Sequence, residues 1–206
     1  MTLKTLSLGM MQTNCYVLYD EKSKDAIIVD PACDFDAIRK NIDALKLNVR
    51  YIVITHAHYD HIEALDELKQ HTNALICIGE ADAQGLSDPL RNLCGLFGDT
   101  LPETKADILL RDGDEIELSD NKLRIISTPG HTPGGICMLV DDILISGDTL
   151  FFESVGRSDF PGGSSQTLIN SVKTKLFVLP DNTKVYPGHG PSTTIGHEKE
   201  SNPFIW

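Results

Sequence analysis

Residues 55–61, which read THAHYDH, constrain this chain more than any other segment. They place three histidines and one aspartate at H-x-H-x-D-H spacing. An apolar run at residues 51–54 precedes them and a helical pattern follows from near Ile62, which predicts a turn between a strand and a helix. Ligands at the end of a strand can converge on one point while the sheet holds them rigid. Because crowded imidazoles gain nothing without a shared cation, the segment indicates a metal site rather than a helix cap.

Three further turns each carry one candidate ligand. Apolar runs at residues 123–126 and 143–145 lead into the turns of His131 and Asp148, and residues 183–186 lead into the turn of His189. A glycine beside each ligand allows a sharp turn or a close approach of the backbone. Each would be an ordinary turn on its own, but together with the first cluster they supply five histidines and two aspartates. The candidate metal ligands are His56, His58, Asp60, His61, His131, Asp148 and His189.

The remaining hydrophobic pattern predicts a layered α/β protein. Short runs rich in Val and Ile predict strands at residues 15–19, 26–29, 51–54, 74–78, 123–126, 136–140 and 143–145. The pair Asp141-Asp142 predicts a hairpin between the last two. Helical periodicity predicts helices over residues 35–45, 62–68 and 168–179, the first of them capped by Asp34. Strands and helices that mix in this way pack as helices on sheets.

Bulk properties exclude several classes of protein. The chain has 206 residues and a formal net charge of −12, with no cluster of Lys or Arg, so we expect one domain from residue 1 to 206 and no nucleic-acid partner. No apolar run approaches the ~20 residues of a membrane span, and the first ten residues lack a signal-peptide pattern, so we expect a cytoplasmic protein without membrane contact. The five cysteines form no C-x-x-C pair and are expected to be small buried hydrophobes in a reducing compartment.

The order of these motifs resembles the metallo-β-lactamase superfamily over essentially the whole chain. The resemblance implies an αββα four-layer sandwich with the metal site at one edge of the sheets. It also implies two ions. His56, His58 and His131 would bind the first, and Asp60, His61 and His189 would bind the second. Asp148 would bridge both ions, as in the glyoxalase II group, where zinc β-lactamases carry a cysteine.

Three stretches resemble the short glyoxalase II-like bacterial proteins more closely: SGDTLF at residues 146–151, GRSDFPGG at 156–163 and YPGHGPSTT at 186–194. This resemblance implies a hydroxyacylglutathione hydrolase that cleaves thioesters such as S-D-lactoylglutathione with a metal-bridging hydroxide. Asp60 and Asp148 would serve catalysis by holding two divalent ions, with zinc expected and iron or manganese compatible with the same ligands. Full-length glyoxalase II holds glutathione with a C-terminal helical domain. We expect this chain, which ends at Trp206, to lack that domain.

Persulfide dioxygenases are the alternative reaction class. They also resemble this sequence, including RSDF at residues 157–160. That resemblance implies a single iron held by His56, His131 and Asp148, with the other ligand residues kept but the second site unfilled. The PGHGP segment at residues 187–191 is more similar to the hydrolases and favours them. A metal-binding module without catalysis is the third interpretation. It is disfavoured because a binding site rarely needs open positions on two ions.

Substrate contacts are less well specified by the sequence. Arg157 and Asp159 are interpreted either as an ion pair that braces its loop or as groups that contact the substrate. Tyr59 is interpreted as pocket wall or as packing. Phe97, in the loop of residues 82–104, is interpreted as part of a lid over the pocket or as core. His71 and His197 lack ligand spacing and are expected to be non-catalytic. The sequence does not indicate an oligomeric state.

Overall fold

The computed structural model of the chain describes residues 1–97, 101 and 104–205. Within these residues two six-stranded sheets pack face to face, and helices cover their outer faces. The first sheet contains β1 (Thr2–Leu8), β2 (Thr13–Tyr19), β3 (Asp25–Val29), β4 (Asn48–Ile54), β5 (Leu75–Gly79) and β6 (Ile108–Leu110). The second contains β7 (Glu115–Leu118), β8 (Asn121–Ser127), β9 (Ile136–Val140), β10 (Ile143–Gly147), β13 (Lys184–Pro187) and β14 (Thr193–Thr194). A small hairpin of β11 (Leu150–Phe151) and β12 (Ser154–Val155) lies between β10 and β13 in the chain.

The helices complete a four-layer αββα sandwich. The first sheet carries α1 (Phe35–Leu45) and α2 (Leu65–Thr72), and the second carries α3 (Ser165–Ser171) and α4 (Ile195–Ser201). Alternation along the strands sends neighbouring side chains to opposite faces. In β2, Cys15 and Val17 face the α1 and α2 layer, whereas Tyr16 and Leu18 face the core between the sheets. The predicted fold is therefore confirmed.

The direction of the strands brings the candidate ligand turns to one edge. In the first sheet, β3 and β4 are parallel, so the residues that follow Val29 and Ile54 lie side by side. In the second sheet, β10 is parallel to β13 and antiparallel to β9, which is antiparallel to β8. The carboxyl ends of β8, β10 and β13 therefore share an edge. A hydrogen bond from Asn14 N to Gly188 O, 2.7 Å long, joins this edge to the first sheet.

Several element boundaries differ from the sequence predictions. α1 has the predicted bounds, and the Asp34 side chain accepts a 3.1 Å hydrogen bond from Ala37 N as its cap. The helix predicted from Ile62 begins only at Leu65, because residues 59–61 first form a 3-10 turn that carries ligands. The helix predicted over residues 168–179 is instead α3 followed by a π-helical turn at Val172–Leu176. The first strand, β1, has no counterpart in the prediction.

The loop of residues 82–104 is not uniformly irregular. The described part contains 3-10 turns at Glu80–Leu86 and Cys94–Phe97.

All five cysteines are free, and four of them are buried as expected, while Cys33 is half-buried. No helix in the described part of the chain has the length and apolar character needed to cross a membrane.

Candidate metal centre

Three histidines from both sheets converge at the shared edge. His56 and His58 follow β4, and His131 follows β8. The His131 Nε2 atom lies 3.2 Å from His56 Nε2 and 2.9 Å from His58 Nδ1, and all three side chains are buried. Burial, reinforced by the neighbouring imidazoles, lowers the pKa of His56 well below its usual value and that of His58 to about 3. The rings of His56 and His58 are therefore neutral at pH 7, which is the form that binds metal ions.

A second cluster contains Asp60, His61 and His189. The Asp60 Oδ2 atom lies 3.6 Å from His61 Nε2 and 3.3 Å from His189 Nε2. Burial alone would raise the pKa of Asp60, but the positive potential of His61 and the hydrogen bonds from His189 and Thr13 hold it below its usual value. Burial likewise opposes protonation of His61, but Asp60, Asp30 and Asp148 outweigh this and raise its pKa to about 10. The carboxylates thus create a negative potential that favours a cation at this cluster.

The Asp148 carboxylate lies between the two clusters. Its Oδ1 atom is 3.5 Å from His61 Nε2, and its Oδ2 atom is 3.6 Å from both His131 Nε2 and His189 Nε2. Among the residues that the structure describes, buried Asp148 Oδ1 and His61 Nε2 have no hydrogen-bond partner. Such atoms are costly unless something satisfies them. A donor set of imidazole nitrogens and carboxylate oxygens around these atoms fits divalent cations.

Asp30 contacts the candidate ligand His61 on the side of the ring away from the centre. The sequence did not single this residue out. Its fully buried carboxylate accepts hydrogen bonds from Thr55 N and Thr55 Oγ1, both 2.7 Å long, and lies 2.9 Å from His61 Nδ1. It therefore connects Thr55, at the start of the ligand turn, to the ring of His61. The available signal was an aspartate directly after the apolar run of residues 26–29, at the end of a strand parallel to β4.

Other ligands are oriented mainly by backbone carbonyls. His189 Nδ1 lies 3.1 Å from the Met11 carbonyl oxygen, and His131 Nδ1 makes a short hydrogen bond with the Arg157 carbonyl oxygen. Thr13 Oγ1 donates a 2.9 Å hydrogen bond to Asp60 Oδ2. A carbonyl acceptor fixes the proton on Nδ1 and leaves the Nε2 lone pair for a cation.

The Arg157 side chain pairs with Asp159 rather than entering the centre. Its Nε and Nη2 atoms donate to the two Asp159 oxygens at 2.8 and 2.7 Å, and both side chains are more than half exposed. The guanidinium carbon lies 3.9 Å from the centre of the Phe160 ring, which in turn packs 5.8 Å from the His58 ring. The ion pair that braces the loop is therefore present, and a substrate contact by Arg157 stays a prediction.

The other residues singled out in the sequence differ in where they lie relative to the two ligand clusters. Tyr59 lines a cavity of about 330 Å³ with Met10, Met11 and Asp60, so it lies at the edge of the centre. The Phe97 side chain is outside the part of the chain that the structure describes, so its role as a lid stays a prediction. His71 lies 3.5 Å from Asp43, and His197 lies 3.0 Å from Glu153. Neither belongs to the two clusters.

Comparison with known proteins agrees with this geometry. The family model of the metallo-beta-lactamase superfamily matches residues 8–189. The hydroxyacylglutathione hydrolase GloC of Haemophilus influenzae is 36% identical over 211 residues, covering 100% of this chain and 98% of that protein.

Solved structures of similar proteins point to the same superfamily. The BLEG-1 B3 metallo-beta-lactamase superposes with a TM-score of 0.94 at 36% identity, covering 99% of both chains. ETHE1 from Myxococcus xanthus has a TM-score of 0.83 at 29% identity, covering 98% of this chain and 84% of that one. The protein TTHA1623, solved in a di-iron-bound form, has a TM-score of 0.85 at 30% identity, covering 98% and 99%. The chain therefore belongs to the metallo-β-lactamase superfamily, as a metal-dependent hydrolase of that fold.

Proposed function

We propose that this protein is a binuclear hydrolase that cleaves thioesters, S-D-lactoylglutathione among them. The position of Asp148 carries the proposal, since its carboxylate lies between the two ligand clusters, within 3.6 Å of His131 in the first and of His61 and His189 in the second. A mononuclear iron site held by His56, His131 and Asp148 would leave the second cluster unfilled, whereas a binuclear site would use both clusters. The 36% identity to a hydroxyacylglutathione hydrolase over the full chain supports the choice of substrate.

Two divalent cations bound here would polarise a carbonyl oxygen and lower the pKa of a coordinated water, which is the chemistry that hydrolysis requires. His56, His58 and His131 would hold the first cation, and Asp60, His61 and His189 the second, with Asp148 shared. We propose zinc as the cation, because hydrolysis needs no redox chemistry. Iron and manganese suit the same ligands, and the relative TTHA1623 was solved with two irons.

Groups of the protein itself position the candidate ligands. Asp30 holds His61, and the carbonyls of Met11 and Arg157 hold His189 and His131, so that each ring nitrogen points into the centre. Asp60 and Asp148 supply the negative charge that retains the cations. A thiolate leaves readily, because the pKa of its conjugate acid is only about 8.5, so no strong general acid is required. Thioester cleavage at this site would therefore need no dedicated acid.

The test is an anaerobic assay of the zinc-loaded protein with S-D-lactoylglutathione, combined with elemental analysis. We expect close to two ions per chain and release of free thiol without oxygen. The Asp148→Ala variant should lose metal from both clusters and at least 100-fold in rate, more than the 10–100-fold typical of residues that only orient ligands. Wild-type metal content and rate in this variant would contradict the bridging role.

The same measurements separate the hydrolase from the persulfide dioxygenase alternative. A dioxygenase needs iron and consumes oxygen, whereas a hydrolase works with zinc and water. The similarity to ETHE1 and the similarity to the hydrolase GloC are both compatible with the geometry. Oxygen uptake with glutathione persulfide by a protein that holds one iron, together with no thioester cleavage in any metal form, would replace the proposal.

A further inference from the structure

A cavity of about 340 Å³ lies beside the first ligand cluster, and the chemistry described above does not use it. Two of its lining residues are chain neighbours of the ligands. Ala57 stands between His56 and His58, and Thr132 directly follows His131. The volume is at the lower end of the roughly 300–1,000 Å³ typical of small-molecule sites. A molecule bound here would therefore lie next to the metal centre.

Two buried polar side chains line this cavity. Asp82 is 6% exposed and accepts a 2.6 Å hydrogen bond from Gly134 N and a longer one, 3.4 Å, from Ala57 N. Thr132 is 5% exposed, and its hydroxyl lies close to the Asp82 carboxylate. Yet Thr132 Oγ1 makes no hydrogen bond of acceptable geometry with any residue that the structure describes. An unsatisfied buried hydroxyl is costly, and a polar ligand would relieve that cost.

Arg91 adds a positive charge to the cavity lining. Its side chain is 54% exposed and lies 3.4 Å from Asp88 in an exposed ion pair. Exposed pairs of this kind contribute little stability, so the guanidinium can exchange Asp88 for a ligand carboxylate at small cost. An arginine also binds a carboxylate in a bidentate manner, which gives orientation as well as affinity.

We propose that this cavity binds the thiol part of the thioester substrate, a peptide-like group that carries a carboxylate. The proposal rests on the proposed function and names how that substrate is recognised. Arg91 would bind the carboxylate, the Thr132 hydroxyl would donate to an amide carbonyl, and Asp82 would accept from an amide N–H or an ammonium group. The glutathione part of S-D-lactoylglutathione offers all three groups.

One wall of the cavity is formed by residues that directly follow an aromatic ring packed on a candidate ligand. The Phe160 ring packs 5.8 Å from the His58 ring, and the next two residues, Pro161 and Gly162, line the cavity. A thiol part held against this wall would place the adjoining thioester carbonyl toward the cluster of His56, His58 and His131. The cavity and the proposed carbonyl-binding cluster thus lie in the order that a thioester requires.

The test compares Arg91→Gln with Arg50→Gln. The two arginines are matched, since each is 54% exposed and each has an acidic partner, Asp88 at 3.4 Å or Asp25 at 3.7 Å. Binding of S-methylglutathione, a thioether that cannot be hydrolysed, is measured by calorimetry on the zinc-loaded protein. We expect Arg91→Gln to weaken binding about tenfold, as for a lost hydrogen bond to a charged group, and Arg50→Gln to change it less than twofold.

Kinetics give a second readout. For S-D-lactoylglutathione, Arg91→Gln should raise KM about tenfold with kcat within twofold, because the lost contact is made equally in the ground and transition states. For S-lactoyl-N-acetylcysteamine, whose thiol part has no carboxylate, the variant should behave as wild type. Should Arg91→Gln fail to fold, as judged by circular dichroism, Arg91→Lys is the second variant. It keeps the charge without the bidentate fork and should weaken binding by a smaller factor.

The outcomes separate this proposal from the proposed function. If S-methylglutathione does not bind, or binds equally to the Arg91 and Arg50 variants, the cavity proposal is overturned even if thioesters are hydrolysed. If no thioester is cleaved but binding of S-methylglutathione still depends on Arg91, the cavity proposal stands and the hydrolase proposal fails.

Discussion

Asp30 shows how one side chain outside the ligand set can determine the geometry of the centre. Its carboxylate satisfies the backbone and hydroxyl donors of Thr55 and also faces His61 Nδ1. A carboxylate can accept from all three groups, because both of its oxygens are hydrogen-bond acceptors. The proton on His61 Nδ1 is thereby fixed, so a cation that replaces the proton on Nε2 would bind on the side of Asp60 and Asp148.

The first prediction therefore concerns Asp30→Asn. The amide keeps the size of the side chain but replaces one acceptor oxygen with a donor, which opposes either Thr55 or His61. We expect metal affinity to fall about 10–100-fold, as for other partners of metal-ligating histidines. Titration with a competing chelator measures this change. Asp120→Asn, at an exposed turn position, is the control and should bind metal as wild type. Equal affinities for the two variants would show that Asp30 does not orient His61.

At the scale of elements, the turn after β13 must pass unusually close to the centre. A Cβ atom at Gly188 would overlap Asp148 Oδ1 and lie 2.8 Å from His61 Cε1. Gly190, two residues further, has a φ of +76° but open space around it. The two glycines of this turn are thus needed for different reasons. A side chain at Gly188 would collide with the candidate ligands, whereas Gly190 has a backbone conformation that other residues rarely adopt.

This difference gives the second prediction. Gly188→Ala should displace Asp148 or His61 and lower the metal content below one ion per chain. Gly190→Ala should keep both ions and lose only about 1 kcal/mol of unfolding free energy from its left-handed backbone. Elemental analysis and urea unfolding of both variants measure the contrast. A Gly188→Ala protein with full metal content would mean that the turn can shift away from Asp148 without cost to the centre.

The accuracy of the sequence predictions also varied by element. α1 was located correctly because its apolar spacing and its Asp34 cap agree. β1 was missed because Leu3 and Leu6 are three residues apart, which breaks the alternation expected of a strand. The helix at residues 168–179 was misjudged because Leu168, Val172 and Leu176 are all buried at regular spacing, although the backbone changes from α to π between them. Side-chain spacing alone does not reveal that change.

At the scale of the whole molecule, the fold and the convergence of the seven candidate ligands could be predicted because they depend on side-chain types in a fixed order along the chain. The groups that orient these ligands could not. The carbonyls of Met11 and Arg157 are backbone atoms, which carry no signature in the sequence. The cavity beside the first cluster was also missed, since Asp82, Arg91 and Thr132 come together only when the two sheets pack.

The last prediction concerns removal of the metal. Among the described residues, three clusters of buried apolar side chains fill the layers of the sandwich, so burial of apolar surface should keep the chain folded without ions. Each bound ion stabilises only the native state, by about 4 kcal/mol when it is present at 1,000 times its dissociation constant, so two ions contribute about 8 kcal/mol. For a chain of this length that corresponds to a rise in Tm of roughly 20 °C. We therefore expect chelation to lower the Tm by about that amount while the far-ultraviolet circular dichroism at 25 °C stays unchanged, and restoration of zinc to reverse the shift. Loss of secondary structure on chelation would instead show that the metal centre is required for folding.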